Sequence, residues 1–188
     1  MSPDRDPDPG ADDLTEAREA PPQEPPSAEE RLAHALKLAY RHLAKRDRTE
    51  AEVRAHLEKR GVDAASVDAA VGELLELEYL DDERYAQRYV EDRRRLEGWG
   101  HLRIADGLRR TGLPRPLVER ALAADPHADD EHELAVEALD RRFAGRALAD
   151  DRERQKGLRT LATKGFPLDT AYAAIRAYER RCADRDDG

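Results

Sequence analysis

Cysteine is nearly absent: Cys182 is the only one in 188 residues. That excludes an intramolecular disulfide and any metal site built from a cysteine cluster. Aromatic residues make up only 5%, and stretches rich in Val, Ile or Thr are few, so strands are not expected. No run of about 18 apolar residues occurs, and no apolar segment follows Met1. The chain therefore reads as a cytoplasmic protein with no membrane partner. Walker-type phosphate loops and dinucleotide fingerprints are missing as well. Gly98-Trp99-Gly100 has no flanking strand, and no Ser, Cys or Lys has the neighbouring base that a nucleophile needs. His127 and His132 sit among acids in Asp129-Asp130-Glu131-His132-Glu133. Those acids suit a helix N-terminus, whose dipole favours them without any metal. No catalytic, cofactor or metal residues are expected, and binding is favoured over enzymatic chemistry.

What the chain does have is charge and helix formers. Charged residues reach 40%, with a formal net charge of -9. Residues 1–30 hold ten acids and two bases, so the remaining residues are close to neutral. The acidic balance thus says little about what the folded part touches. Residues 1–28 are proline-rich, include Pro21-Pro22 and Pro25-Pro26, and lack an apolar period, which predicts a disordered acidic tail. Residues 183–188 are expected to be disordered too.

From Arg31 the pattern becomes helical. Leu32, Leu36, Ala39, Tyr40 and Leu43 share one face. Thr49 with Glu52 forms a capping box that starts a second helix, with Val53 and Leu57 inward and Gly61 at its end. Asp63 caps a third helix carrying Val67, Ala70, Val71, Leu74 and Leu75. Leu80-Asp81 opens the next, whose inner face is Tyr85, Ala86, Tyr89 and Val90.

Internal repetition is the strongest structural signal. Arg60-Gly61-Val62, Thr111-Gly112-Leu113 and Lys164-Gly165-Phe166 are equivalent. A leucine precedes each glycine by four residues: Leu57, Leu108 and Leu161. Ala70-Val71, Ala121-Leu122 and Ala174-Ile175 follow at matching distances. Each unit is helix, helix, glycine turn, helix. The expected class is all-α: three tandem three-helix repeats over 29–79, 80–125 and 129–182. Units of this size have little core of their own, so stacked units are expected to share apolar faces in an elongated, curved solenoid.

Basic residues carry the functional signal. No acid lies between Glu30 and Asp47, and Lys37, Arg41, Lys45 and Arg48 follow helical spacing away from the leucine stripe. Arg93, Arg94 and Arg95 form a second cluster, and Arg103, Arg109 and Arg110 a third; Arg152, Arg154, Lys156 and Arg159 are a further basic group. Each reads either as a solvated face or as a contact for phosphates or an acidic protein surface. Trp99 reads either as a partner contact or as packing at a repeat junction.

Two segments are similar to a known family: Ala44-Lys45-Arg46-Asp47-Arg48-Thr49-Glu50-Ala51-Glu52-Val53-Arg54-Ala55-His56-Leu57, and Leu77-Glu78-Tyr79-Leu80-Asp81-Asp82-Glu83-Arg84-Tyr85-Ala86. Together with Gly107-Leu108-Arg109-Arg110-Thr111-Gly112 and Gly165-Phe166, they resemble the RecX regulatory family over residues 31–182. The resemblance implies an all-helical repeat protein that binds in the groove of the RecA recombinase filament. It also implies damping of the filament's ATPase, strand-exchange and coprotease activities in recombination, repair and the SOS response. One departure is the linker Gly98-Trp99-Gly100-His101-Leu102-Arg103, where the family usually has Gly followed by basic residues. The expected partner is the RecA filament, met by a monomer, with single- or double-stranded DNA as a further contact. The alternative readings are a direct DNA-binding helical protein, because three-helix units with a glycine turn resemble helix-turn-helix geometry, and a helical-repeat scaffold for another partner.

Overall fold

The computed structural model describes residues 25–128 and 130–186, so the acidic tail expected over 1–28 lies outside the described residues except at its end. There the structure corrects the boundary. Ser27 and Glu30 form a reciprocal capping box, and helix α1 runs Ala28–Leu43. The far end is corrected likewise: the last helix continues through Asp186, past the expected limit at Cys182, and Arg185 pairs with Asp140 at 3.1 Å.

Among the described residues every regular element is helical. The first unit contains α1, α2 (Glu50–Lys59) and α3 (Ala64–Glu76). The second contains α4 (Asp82–Asp92), a π turn over Arg93–Glu97, α5 (His101–Arg110) and α6 (Arg115–Ala123). The third contains α7 (Glu131–Phe143), α8 (Asp151–Lys164) and α9 (Leu168–Asp186). Side-chain caps mark several starts: Thr49 accepts from the Glu52 N–H, Asp63 from Ser66, Asp81 from Arg84 and Asp150 from Glu153. Each satisfies an N–H that the first helical turn leaves without an intrahelical partner.

The repeated Leu-x-x-x-Gly-apolar signature has a structural cause. Gly61, Gly112 and Gly165 all have positive φ. At the first and third turns the chain closes as a Schellman motif. Val62 N–H donates back to the Leu57 carbonyl at 3.2 Å, and Phe166 N–H to Leu161 at 3.1 Å. The same fold-back drops both apolar residues of each pair into the core of their own unit, Leu57 with Val62 and Leu161 with Phe166. Leu108 and Leu113 meet equivalently in the second unit.

The energetics differ from the shared apolar faces expected of stacked repeats. Three separate apolar clusters form, one per unit: around Val53, Leu57 and Leu74; around Ile104, Leu108 and Val118; and around Leu139, Leu161 and Tyr178. Neighbouring units meet mainly through polar contacts. Between the first and second, the Thr49 hydroxyl donates to the Thr111 carbonyl at 2.6 Å and Glu50 N–H donates to Asp82 at 2.9 Å. Arg88 also reaches Asp47 at 3.2 Å. Among the described residues no hydrogen bond or ion pair joins the first unit to the third, so contacts run only between sequence neighbours, as in a repeat array.

Candidate partner-binding surface

The row on α1 and the turn that follows it keeps the helical spacing expected from the sequence. Ala35 and Ala39 are buried and Leu32, Leu36 and Leu43 pack on the core, which leaves Lys37, Arg41 and Lys45 exposed. None of these three has an ion-pair partner among the described residues. That distinguishes them, because most exposed arginines here pair with a carboxylate. Arg48 does not extend the row. It is half-buried and pairs with Glu52 at 3.5 Å. Beneath it, the rings of His42 and His56 stack at 3.9 Å with 6° between planes. Burial, then the stacked His56 and the Arg48 guanidinium, hold His42 below its ordinary pKa. Burial and the cations Arg60, Arg48, Lys45 and Lys59 do the same for His56. The positive potential of this end of the first unit therefore acts on its own side chains.

The sequence predicts one basic cluster of Arg93, Arg94 and Arg95, and the structure separates them. Arg95 is exposed and pairs with Asp92 at 3.3 Å. Arg93 is half-buried beside the Tyr89 ring, 4.8 Å from its centroid, and the Trp99 ring, at 5.2 Å. Arg94 points inward, with its side chain 4% exposed. Its Nε donates to Asp125 at 2.9 Å, and its Nη1 to the Trp99 carbonyl at 3.0 Å and to Glu131 at 3.4 Å. Glu131 also accepts from the His101 backbone N–H at 2.7 Å and meets His101 Nδ1 at 2.5 Å. Arg94 is thus the centre of the joint between the second and third units, not a surface contact. Its register was the available signal: Ala86 and Val90 lie on the inner face of α4, and Arg94 in the π turn continues their four-residue spacing.

The third group is also largely engaged. Arg109 and Arg110 are exposed and share Asp106, at 3.8 and 2.7 Å. Arg103 lies over the Trp99 ring at 4.1 Å and donates to the Thr163 carbonyl at 2.6 Å. Trp99 is half-buried against the core of the second unit with guanidinium groups near its ring, which is the junction-packing alternative. The sequence pattern marks no partner-binding residue on α7, and Lys156 and Arg159 stand in it only as part of a further basic group. The structure brings Arg142, Lys156, Arg159 and Lys164 to the same groove as Arg103.

Family models match each unit in turn: the first three-helix domain of RecX over residues 35–74, the second over 81–122 and the third over 129–175. The regulatory protein RecX of Deinococcus radiodurans is 36% identical over 157 residues, covering 82% of this chain and 73% of that protein. The chain belongs to the RecX family. RecX of Pseudomonas savastanoi pv. phaseolicola is 36% identical over 127 residues, 68% of this chain and 80% of the relative. A crystal structure of RecX from Lactobacillus salivarius superposes with a TM-score of 0.69 at 22% identity, over 81% of this chain and 99% of that one. It shares the fold of tandem three-helix domains. Among the described residues, no helix of this RecX-family chain is long and apolar enough to cross a membrane.

Proposed function

We propose that this RecX-family protein acts by binding, not catalysis: it docks on the RecA nucleoprotein filament and modulates, mainly inhibits, its ATPase, strand-exchange and coprotease activities. Its place of action is then the cytoplasm. The observation that carries the reading is the family membership across all three units, each matched in order. The architecture supports it physically. An array in which units touch only their neighbours spreads its binding surface along its length, and several weak contacts to successive subunits favour an assembled filament over free monomers.

The exposed, unpaired row Lys37, Arg41 and Lys45 is the contact we assign first. Such cations meet a partner without first breaking an internal ion pair, so the whole charge is available for recognition. The test is RecA ATPase on single-stranded DNA with the protein titrated in. Wild type should depress the rate. Arg41→Glu with Lys45→Glu leaves the α1 apolar stripe intact and should lose most of that effect, each contact being worth about 1–3 kcal/mol when partly desolvated. An unchanged rate with wild type would sink the RecA reading. Full potency in the double variant would move the contact off α1.

A further inference from the structure

The chain enters α1 on the side that carries the unpaired cations. Arg31, His34, Arg41 and Lys45 are spaced i, i+3, i+10 and i+14, one stripe along α1 that runs into the turn after it. Lys37 lies beside the stripe, one turn before Arg41. At the head of the stripe Arg31 Nη1 donates to the Pro26 carbonyl at 2.6 Å. That bond holds the residues before the helix against its first turn, on the same side as the row.

The row lacks counter-charge nearby. No acid lies between Glu30 and Asp47, and Lys37, Arg41 and Lys45 have no ion pair among the described residues. Residues 1–24, which precede the described chain, hold eight acids and two bases. Four of those acids, Asp12, Asp13, Glu16 and Glu19, fall within eight residues that contain the single base Arg18. Reach matches charge. From Ser27 to Arg41 the helix rises about 21 Å. Proline-rich segments favour about 3.1 Å per residue, and Pro21-Pro22 and Pro25-Pro26 make this one proline-rich. At that extension the chain from Pro26 back to Glu19 covers about 22 Å.

We infer that residues 12–19 of this chain dock on the exposed stripe of α1, with Asp12, Asp13, Glu16 and Glu19 set against Lys37, Arg41 and Lys45. A short tether holds such a segment at an effective concentration of about millimolar, so weak contacts suffice. The inference rests on charge and reach, not on the RecA assignment, although it uses the same cations. Exposed ion pairs are individually weak and screened by salt. A partner that engages the row therefore displaces the segment, and the segment sets how strongly the partner must bind to do so.

Carbodiimide cross-linking of the full chain, with the joined peptides mapped by mass spectrometry, tests the docking. Each link is an amide formed between a carboxylate and a lysine amine, the carbodiimide taking up the water released. The lysines are Lys37, Lys45, Lys59, Lys156 and Lys164, and Lys59 and Lys156 are exposed controls. Residues 12–19 should join Lys37 and Lys45 several-fold more than the controls, with a yield unchanged by dilution. Arg41→Glu keeps both lysines yet should cut those links several-fold. Arg115→Glu, the same charge change at an exposed site paired with Glu119, should leave them intact. Should Arg41→Glu lose helicity, Arg41→Gln carries the same comparison. Equal linking to Lys59 and Lys156, links indifferent to Arg41→Glu, or no links from residues 12–19 would overturn the inference. So would a yield that falls on dilution, which would put a second copy of the chain on the row. RecA is absent throughout, so failure here is distinct from failure of the filament reading.

Discussion

His42 and His56 show how one pair of side chains reports its surroundings. Stacked at 3.9 Å, the two rings are held below the ordinary imidazole pKa by burial and by the cations around them, and His42 also by His56. Their folded pKa values lie below the unfolded imidazole value of about 6.5, so the unfolded chain binds more protons in acid. Their contribution to stability is therefore fully present above about pH 6.5 and lost as pH falls through the lowered folded values. We expect the melting temperature to drop between about pH 7 and 5, and to drop less in His42→Asn with His56→Asn. Parallel pH profiles for the two proteins would show that the pair does not couple to folding. This pairing was hidden in the sequence. The two histidines lie on different helices, and only the packing of α1 on α2 brings their rings together.

Helices and their ends were largely legible beforehand. Thr49 with Glu52, Asp63 and Asp81 act as the expected caps, because a cap depends on residues within one turn. The glycine turns are equally local, yet their cost is not. At Gly61 a Cβ would meet nothing within 4 Å, so Gly61→Ala should lose only the left-handed backbone penalty, about 1–2 kcal/mol. At Gly165 a Cβ would strike the Arg103 backbone, which cannot rotate away. Gly165→Ala should therefore cost clearly more, with the excess in urea unfolding assigned to the joint between second and third units. Similar losses at both positions would contradict the close approach seen there. The π turn over Arg93–Glu97 left no comparable mark in the sequence. It rests on Gly98 in the left-handed region and on Arg94 anchored from below.

For the molecule as a whole, separate cores mean that the joints, and not a common apolar interior, set how the units are held. The joint between second and third units turns on Arg94. Arg94→Met would leave Asp125, with its side chain 3% exposed, as a buried carboxylate without its cation. Breaking such a pair from one side costs about 3–5 kcal/mol. We expect that loss in chemical unfolding, together with a larger radius of gyration in solution scattering while helicity is retained. Arg94→Lys keeps the charge but not the fork that reaches Asp125, Trp99 and Glu131 together, so it should restore only part of the loss. Wild-type stability and dimensions in Arg94→Met would show that the joint is held elsewhere.

The sequence by itself determined the helices, their caps, the three glycine turns and the family. All of these depend on residues a few positions apart or on repetition along the chain. Tertiary structure decided which charges remain available. The sequence names basic candidates, but whether each meets a carboxylate, an aromatic ring or solvent depends on the fold: Asp125 and Glu131 for Arg94, Trp99 and Thr163 for Arg103. Only folding leaves Lys37, Arg41 and Lys45 unpaired, and only the approach of α8 to α5 gathers Lys156, Arg159 and Arg103 around one groove. Helix-forming order is local, whereas the balance of long, flexible side chains is settled by what packs beside them.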